Sequence, residues 1–333
     1  MLLAGDVGGT KTLLGLFSRT PTRPSAVEVR SYRTLDFTDL GALCLRFLRE
    51  TSTTPADVEA ASFGVAGPVT GTRAQLTNVP WVVDVDALRT EMPVGRAYLL
   101  NDLEALAWSV PVLTSDEIEV LHEGRPDADG NAALIAAGTG LGIALLPNVD
   151  GRLVPRASEG GHVDFAPRNA EEQALAAALS REYGRVDVER VVSGPGLANI
   201  HTILYPHQCA SLTPMPAPDD LPPAISRAAL DGSCASCTRT LEVFVSAYGA
   251  SAGNLALTML STGGVYLGGG IAPRILPALR WPIFMRSFLE KSPMDALISR
   301  MPVRVILNPE AGLLGAASYA NGMFSRQSLV DSR

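Results

Sequence analysis

Apolar and polar positions alternate along the first third of the chain as a sheet requires. Residues 2–4 open an apolar strand, Asp6 to Thr10 supply a glycine-rich turn, and 12–17 resume the strand, which predicts a β-hairpin. Pro21 and Pro24 interrupt the pattern, and 27–33 alternates again as a third strand. Leu40, Leu43, Cys44, Phe47 and Leu48 then recur at helical spacing, predicting a helix over 40–50. A short buried strand over 60–66 ends at Gly67-Pro68, and a third apolar run over 98–100 stops at Asn101-Asp102 before a helix over 103–110. Polar residues at the C-terminal end of a strand in an open α/β sheet face the ligand crevice, so this pair is a candidate for chemistry.

The same strand, glycine turn, strand pattern returns at 132–146, around Gly138-Thr139-Gly140. Two such hairpins, each opening a half of the chain, suggest a duplicated two-domain α/β architecture with a nucleotide between the halves. The five prolines within 213–223 predict a loop there. A long helix over 237–260, a strand over 264–267, a turn at Gly268-Gly269-Gly270 and a helix over 274–279 follow. Asn308-Pro309-Glu310 reads as the start of a final helix through Tyr319, with the last ten residues frayed. The expected division is a small domain of 1–111 plus 305–333 and a larger one of 112–304.

Composition narrows the functional classes. At 333 residues, with 47% apolar and 18% charged residues, the chain affords a sizeable core. The formal net charge of −7 and the scattered arginines exclude a nucleic-acid footprint as the expectation. No export signal and no membrane span are legible, which predicts a soluble, cytoplasmic protein. The four cysteines, Cys44, Cys209, Cys234 and Cys237, read as reduced thiols. Cys234-x-x-Cys237 with His207 and Cys209 has the ligand types of tetrahedral zinc, but Cys237 opens a helical stretch and no second pair matches it.

Gly5-Asp6-Val7-Gly8-Gly9-Thr10-Lys11-Thr12 admits two readings. It departs from a P-loop in having Thr10 where the second glycine belongs, and residues 13–17 are strand-like rather than helical. A hairpin turn whose backbone N–H groups face phosphate, with Thr10 as hydroxyl donor, fits better, and an ordinary capped hairpin stays open. Asp6 would repel phosphate directly and suits hydrated Mg²⁺ instead. Gly138, Thr139 and Gly140, and Gly268, Gly269 and Gly270, are two more turns at strand ends that can converge on one nucleotide. Asp102, ionised at pH 7 with a reference pKa of about 3.9, is the candidate general base, or else a helix N-cap. Glu159, His162 and Glu189 are candidate partners for sugar hydroxyls, each with a bland reading as a solvated acid or structural histidine.

Taken together, the motifs resemble the bacterial glucokinase family, of the hexokinase, actin and Hsp70 fold. In order they are Gly5-Asp-Val-Gly-Gly-Thr10, Gly64-Val-Ala-Gly-Pro68, Leu100-Asn-Asp-Leu-Glu-Ala105, Ala137-Gly-Thr-Gly-Leu-Gly142, Ser158-Glu-Gly-Gly-His162, Glu189-Arg-Val-Val-Ser-Gly-Pro-Gly196, Gly268-Gly-Gly-Ile-Ala-Pro273 and Pro309-Glu-Ala-Gly-Leu-Leu-Gly315. The resemblance implies a two-domain actin-like fold with a nucleotide and sugar cleft between domains, and ATP-dependent phosphorylation of glucose to glucose 6-phosphate. It further implies Asp102 as base, glucose on Asn101, Asp102, Glu159, His162 and Glu189, ATP on the three glycine clusters, and a homodimer. Phe165-Ala-Pro-Arg-Asn169 lacks the cysteines that follow the matching segment of the ROK branch. A sugar sensor without catalysis and a kinase for another hexose are the alternatives. The sensor is disfavoured because Asp6 lies too near the start for a preceding DNA-binding module and Asp102 is present. An ATPase acting on a protein would leave Glu159, His162 and Glu189 without a task.

Overall fold

The computed structural model describes residues 1–76, 79–206, 209, 212–213 and 215–330. The chain packs as two units, one of residues 1–114 with 308–333 and one of 115–307.

In the first unit, β1 (Leu2–Val7), β2 (Lys11–Ser18) and β3 (Ser25–Arg33) form an antiparallel meander, and β1 continues the sheet through β4 (Ala60–Val65) and β8 (Ala97–Asn101), both parallel to it. Between them lie α1 (Leu40–Glu50), a small sheet of β5 (Val69–Thr70), β6 (Arg73–Gln75) and β7 (Val82–Asp84), and α2 (Val85–Glu91). Strand β8 passes directly into α3 (Asp102–Ser109). The helix α1 forms where the apolar spacing predicts it, and Asp39 caps it by accepting from Ala42 N. Its buried stripe of Leu40, Leu43, Cys44, Phe47 and Leu48 joins one core with Leu3, Phe63 and Val65 of the sheet.

The first hairpin turn is tighter than the sequence pattern predicts. Asp6 pairs with Leu13 and Val7 with Thr12 inside the ladder, so the turn is confined to Gly8, Gly9 and Thr10. The final helix also departs from expectation. It spans Ala311–Val330, because Asn308 Oδ1 accepts from Glu310 N one turn earlier and no proline interrupts 320–330.

The second unit comprises β9 (Ile118–His122), the hairpin β10 (Ala132–Ala137) and β11 (Leu141–Leu146), the hairpin β12 (Asn148–Val149) and β13 (Arg152–Leu153), β14 (Arg156–Ser158), α4 (Ala170–Tyr183), α5 (Gly194–Leu204), α6 (Leu221–Leu230), α7 (Ala235–Met259), β15 (Gly264–Gly268), α8 (Ile271–Arg274), α9 (Leu276–Leu279), α10 (Pro282–Leu289), α11 (Asp295–Ile298) and β16 (Val303–Ile306). Its sheet order is β14-β11-β10-β15-β16-β9. The first five strands repeat the topology of the first unit, two antiparallel pairings followed by two parallel ones, with β9 added antiparallel at the edge.

The proline-rich loop is shorter than its sequence predicts, since Pro222 and Pro223 occupy the first turn of α6, where their missing N–H groups cost nothing. Cys209 and Cys234 are joined as a disulfide, against the expectation of reduced thiols: the chain between α5 and α6 returns to the start of α7 and brings their Cα atoms to 6.0 Å. His207 lies outside the described residues. Among the described residues no helix is long and apolar enough to cross a membrane.

Candidate active site

Parallel pairing decides where the first unit presents its chemistry. Val7 is in register with Val65, and Val65 with Asn101, so the Gly8–Thr10 turn, the Ala66–Gly67 segment and the Asn101-Asp102 pair emerge at one edge of the sheet. The turn is held from outside by Thr34, whose Oγ1 donates to Gly8 O at 2.8 Å and whose N–H donates to Thr10 O at 3.1 Å. Sequence reasoning missed Thr34, which carries no motif. Gly5 and Val7 are buried within β1, so neither lines the turn.

Asn101, not Asp102, is the N-cap of α3. Its Oδ1 accepts from Leu103 N at 2.9 Å and Glu104 N at 3.4 Å, and its Nδ2 donates to Gly67 O at 3.2 Å. Asp102 is the first helical residue, and its Oδ1 also accepts from Leu103 N at 2.9 Å. The capping alternative for Asp102 thus passes to its neighbour, because Asn101 retains the extended backbone an N-cap requires.

Asp6 shares this edge. Burial, and next the negative charge of Asp102, push its carboxyl up from 3.8 to about 6, against the opposing pull of Lys11. A Cβ at Gly312 would lie 2.9 Å from Asp6 Oδ2, so a side chain there would crowd the carboxylate. Two carboxylates whose repulsion is incompletely offset make an oxygen donor set suited to a hard divalent cation that keeps most of its waters.

In the second unit, Ala136 of β10 is in register with Gly268 of β15, so the Gly138–Gly140 turn and the Gly268–Gly270 turn leave one edge of that sheet together. Gly269 has φ +78°, and a Cβ there would stand 2.5 Å from Ala137 O. The Gly138 turn is closed by Gly138 N to Gly140 O at 2.8 Å and tied to the start of α5 by Gly194 N to Gly138 O at 2.8 Å.

Glu189 lies in a turn before α5, and its Oε2 accepts from Leu141 N at 2.8 Å. Its own N–H donates to Gly161 O at 3.0 Å. These bonds bring the 138–141 turn, the 159–162 loop and Glu189 into one hydrogen-bonded lattice. Glu159 and His162 are exposed on that loop. His162 Nδ1 lies 3.0 Å from Oδ2 of the largely buried Asp187. That hydrogen bond raises the imidazole above its usual 6.5, opposed by burial and supported by the charges of Glu189, Asp187 and Glu159. With Nδ1 turned to the carboxylate, Nε2 is the nitrogen available to a ligand. Asp187 was not among the sequence candidates. Its only signal was a position two residues before Glu189.

Comparison with known proteins agrees with the geometry. The family profile described as Glucokinase matches residues 3–323. A glucokinase of Synechocystis sp. is 38% identical over 344 residues, covering 96% of this chain and 97% of its own length. A crystal structure of glucokinase from an Antarctic psychrotroph superposes with TM-score 0.84 at 28% identity, covering 96% of this chain and 98% of that one. Glucokinase from Balamuthia mandrillaris, solved with glucose, shares the fold with TM-score 0.74 at 22% identity, covering 96% of this chain and 93% of that one. The chain therefore belongs to the glucokinase family and has its hexokinase- and actin-like α/β fold.

Proposed function

We propose that this chain transfers the γ-phosphoryl group of ATP to the 6-hydroxyl of D-glucose, with Asp102 as the general base. The observation that carries the assignment is the placement of Asp102 at the C-terminal end of β8, on the edge that also holds Asp6 and the Gly8–Thr10 turn. In the reaction the glucose oxygen bonds to phosphorus, its proton passes to the Asp102 carboxylate, and the bridging bond to ADP breaks. A positioned base contributes on the order of 10² to 10⁴ in rate, with orientation and charge neutralisation providing the remainder.

Asp6 would hold hydrated Mg²⁺, which when bound neutralises charge on the nucleotide phosphates. Gly8 N and Gly138 N already donate to Lys11 O and Gly140 O, and the other backbone N–H groups of the turns at 8–10, 138–140 and 268–270 suit phosphate oxygens, with the Thr10 hydroxyl as a further donor. Glu159, His162 and Glu189 provide acceptors and, through His162 Nε2, a switchable donor for sugar hydroxyls. Asn101 orients the segment carrying the base through its cap and its bond to Gly67, and retains a second amide hydrogen for sugar. A homodimer is part of this reading, and light scattering would read it directly.

The test is a coupled assay of ADP release with MgATP and glucose, mannose, fructose and glucosamine, and with polyphosphate as competing donor. Glucose-dependent ADP release supports the reading. Preference for another hexose keeps the base and corrects the substrate, whereas glucose binding without ADP release would establish a sensor instead.

A further inference from the structure

Cys209, Cys234 and Cys237 form a cluster that phosphoryl transfer does not use. We propose that, when reduced, these three residues bind one soft divalent cation of the zinc class. All three are buried, and their Sγ atoms lie within 4.8 Å of one another, the single such His, Cys and carboxylate group of three among the described residues. Three thiolates around one zinc, each about 2.3 Å from the metal in tetrahedral directions, stand roughly 3.8 Å apart. The Cys237 and Cys209 sulfurs are 4.0 Å apart.

Burial pushes the Cys237 thiol up, and the start of helix α7 opposes that push. Cys234 is the N-cap residue of the 25-residue helix α7 and Cys237 lies in its first turn. Unsatisfied N–H groups and the positive end of the helix dipole stabilise negative charge there. Three thiolates and one divalent cation leave a net charge of −1 at that helix end, far less than three separate anions in an apolar core. Water or a small anion can complete the coordination.

Metal and disulfide are alternative states of the same sulfurs. Two equivalents of a thiol reductant convert the Cys209–Cys234 disulfide to two thiols, the reductant leaving as its own disulfide. Zn²⁺ then displaces three protons as it binds three thiolates. Bound metal would tie the chain between α5 and α6 to the start of α7, in a different way from the disulfide.

The test uses the full-length chain, reduced under anaerobic conditions, stripped with a chelator and titrated with Zn²⁺ and, separately, Co²⁺. The expected results are one equivalent of Zn²⁺ retained per chain and a thiolate-to-cobalt charge-transfer band. Affinity should fall at least tenfold in C237S and be unchanged in C44S, whose thiol lies in the other unit. Peptide mapping of wild-type protein after brief alkylation, with and without Zn²⁺, gives the same answer without a variant: Zn²⁺ should protect Cys209, Cys234 and Cys237 together. Failure of the reduced chain to retain Zn²⁺, or equal alkylation of the three residues with and without it, overturns the proposal. The disulfide with a spare thiol beside it would then stand as the cluster's only chemistry.

Discussion

Gly269 and Gly184 offer a way to separate backbone strain from crowding in the second unit. Their φ angles, +78° and +76°, both lie where an L side chain is strained, and replacing either by alanine costs about 1–2 kcal/mol on that account. Their surroundings differ. Nothing lies within 4 Å of a Cβ at Gly184, whereas at Gly269 it would meet Ala137 O at 2.5 Å and Ala137 C at 3.0 Å. These are backbone atoms of β10, so no rotamer change relieves the contact. Restoring an ordinary carbon–oxygen separation requires the turn to retreat by roughly 0.7–1 Å, which adds about 1–3 kcal/mol of overpacking. A displacement near 1 Å at a positioning element costs up to about 10²-fold in turnover. Gly184→Ala should therefore lower Tm by about 2–8 °C with unchanged kinetics. Gly269→Ala should lower it further and reduce kcat/KM for ATP by roughly 10–100-fold. Thermal melts and a coupled assay at varied ATP read both effects. Equal Tm shifts for the two variants, with the ATP kinetics of Gly269→Ala within twofold of wild type, would refute the reasoning.

Asp187→Asn should bring the His162 pKa back down towards or below 6.5, as followed by NMR titration of the imidazole. In wild type, the stability from the His162–Asp187 pair is present below 6.5 and lost as pH rises through the raised folded-state value, so the variant's stability deficit should shrink at alkaline pH. Asp6→Asn relieves a carboxylate pushed up to about 6 and should raise Tm by a few degrees at pH 8 without Mg²⁺, while reducing Mg²⁺-dependent turnover. Gly322→Ala lies in the final helix with nothing within 4 Å of the new Cβ, and should stabilise by about 0.5–1 kcal/mol without affecting kinetics, as read by Tm and kcat.

Much of the sheet framework was legible because hairpins and buried strands leave strong local signals. The alternation around Gly8–Thr10 and Gly138–Gly140 predicts both hairpins, and the spacing of Leu40, Leu43, Cys44, Phe47 and Leu48 predicts α1 over the residues it occupies. The two- and three-residue strands β5, β6 and β7 are too short to establish a period and had no such signal. Pro222 and Pro223 read as breakers because local pattern does not distinguish the first turn of a helix from a loop. The supporting residues of the site were the least accessible. Thr34 and Asp187 act through partners 26 and 25 positions away, and the Cys209–Cys234 link spans 25. Such pairings follow from chain topology, which no short motif encodes.

The most direct test of the account is single-turnover and steady-state phosphorylation of glucose by Asp102→Asn, with glucose affinity measured separately by calorimetry. Asparagine preserves an oxygen to accept from Leu103 N, so the helix start is retained while the proton acceptor is lost. With the proton acceptor lost, kcat should fall by about 10² to 10⁴ while the glucose Kd stays within about threefold. A kcat within tenfold of wild type would contradict the assignment of Asp102 as the base.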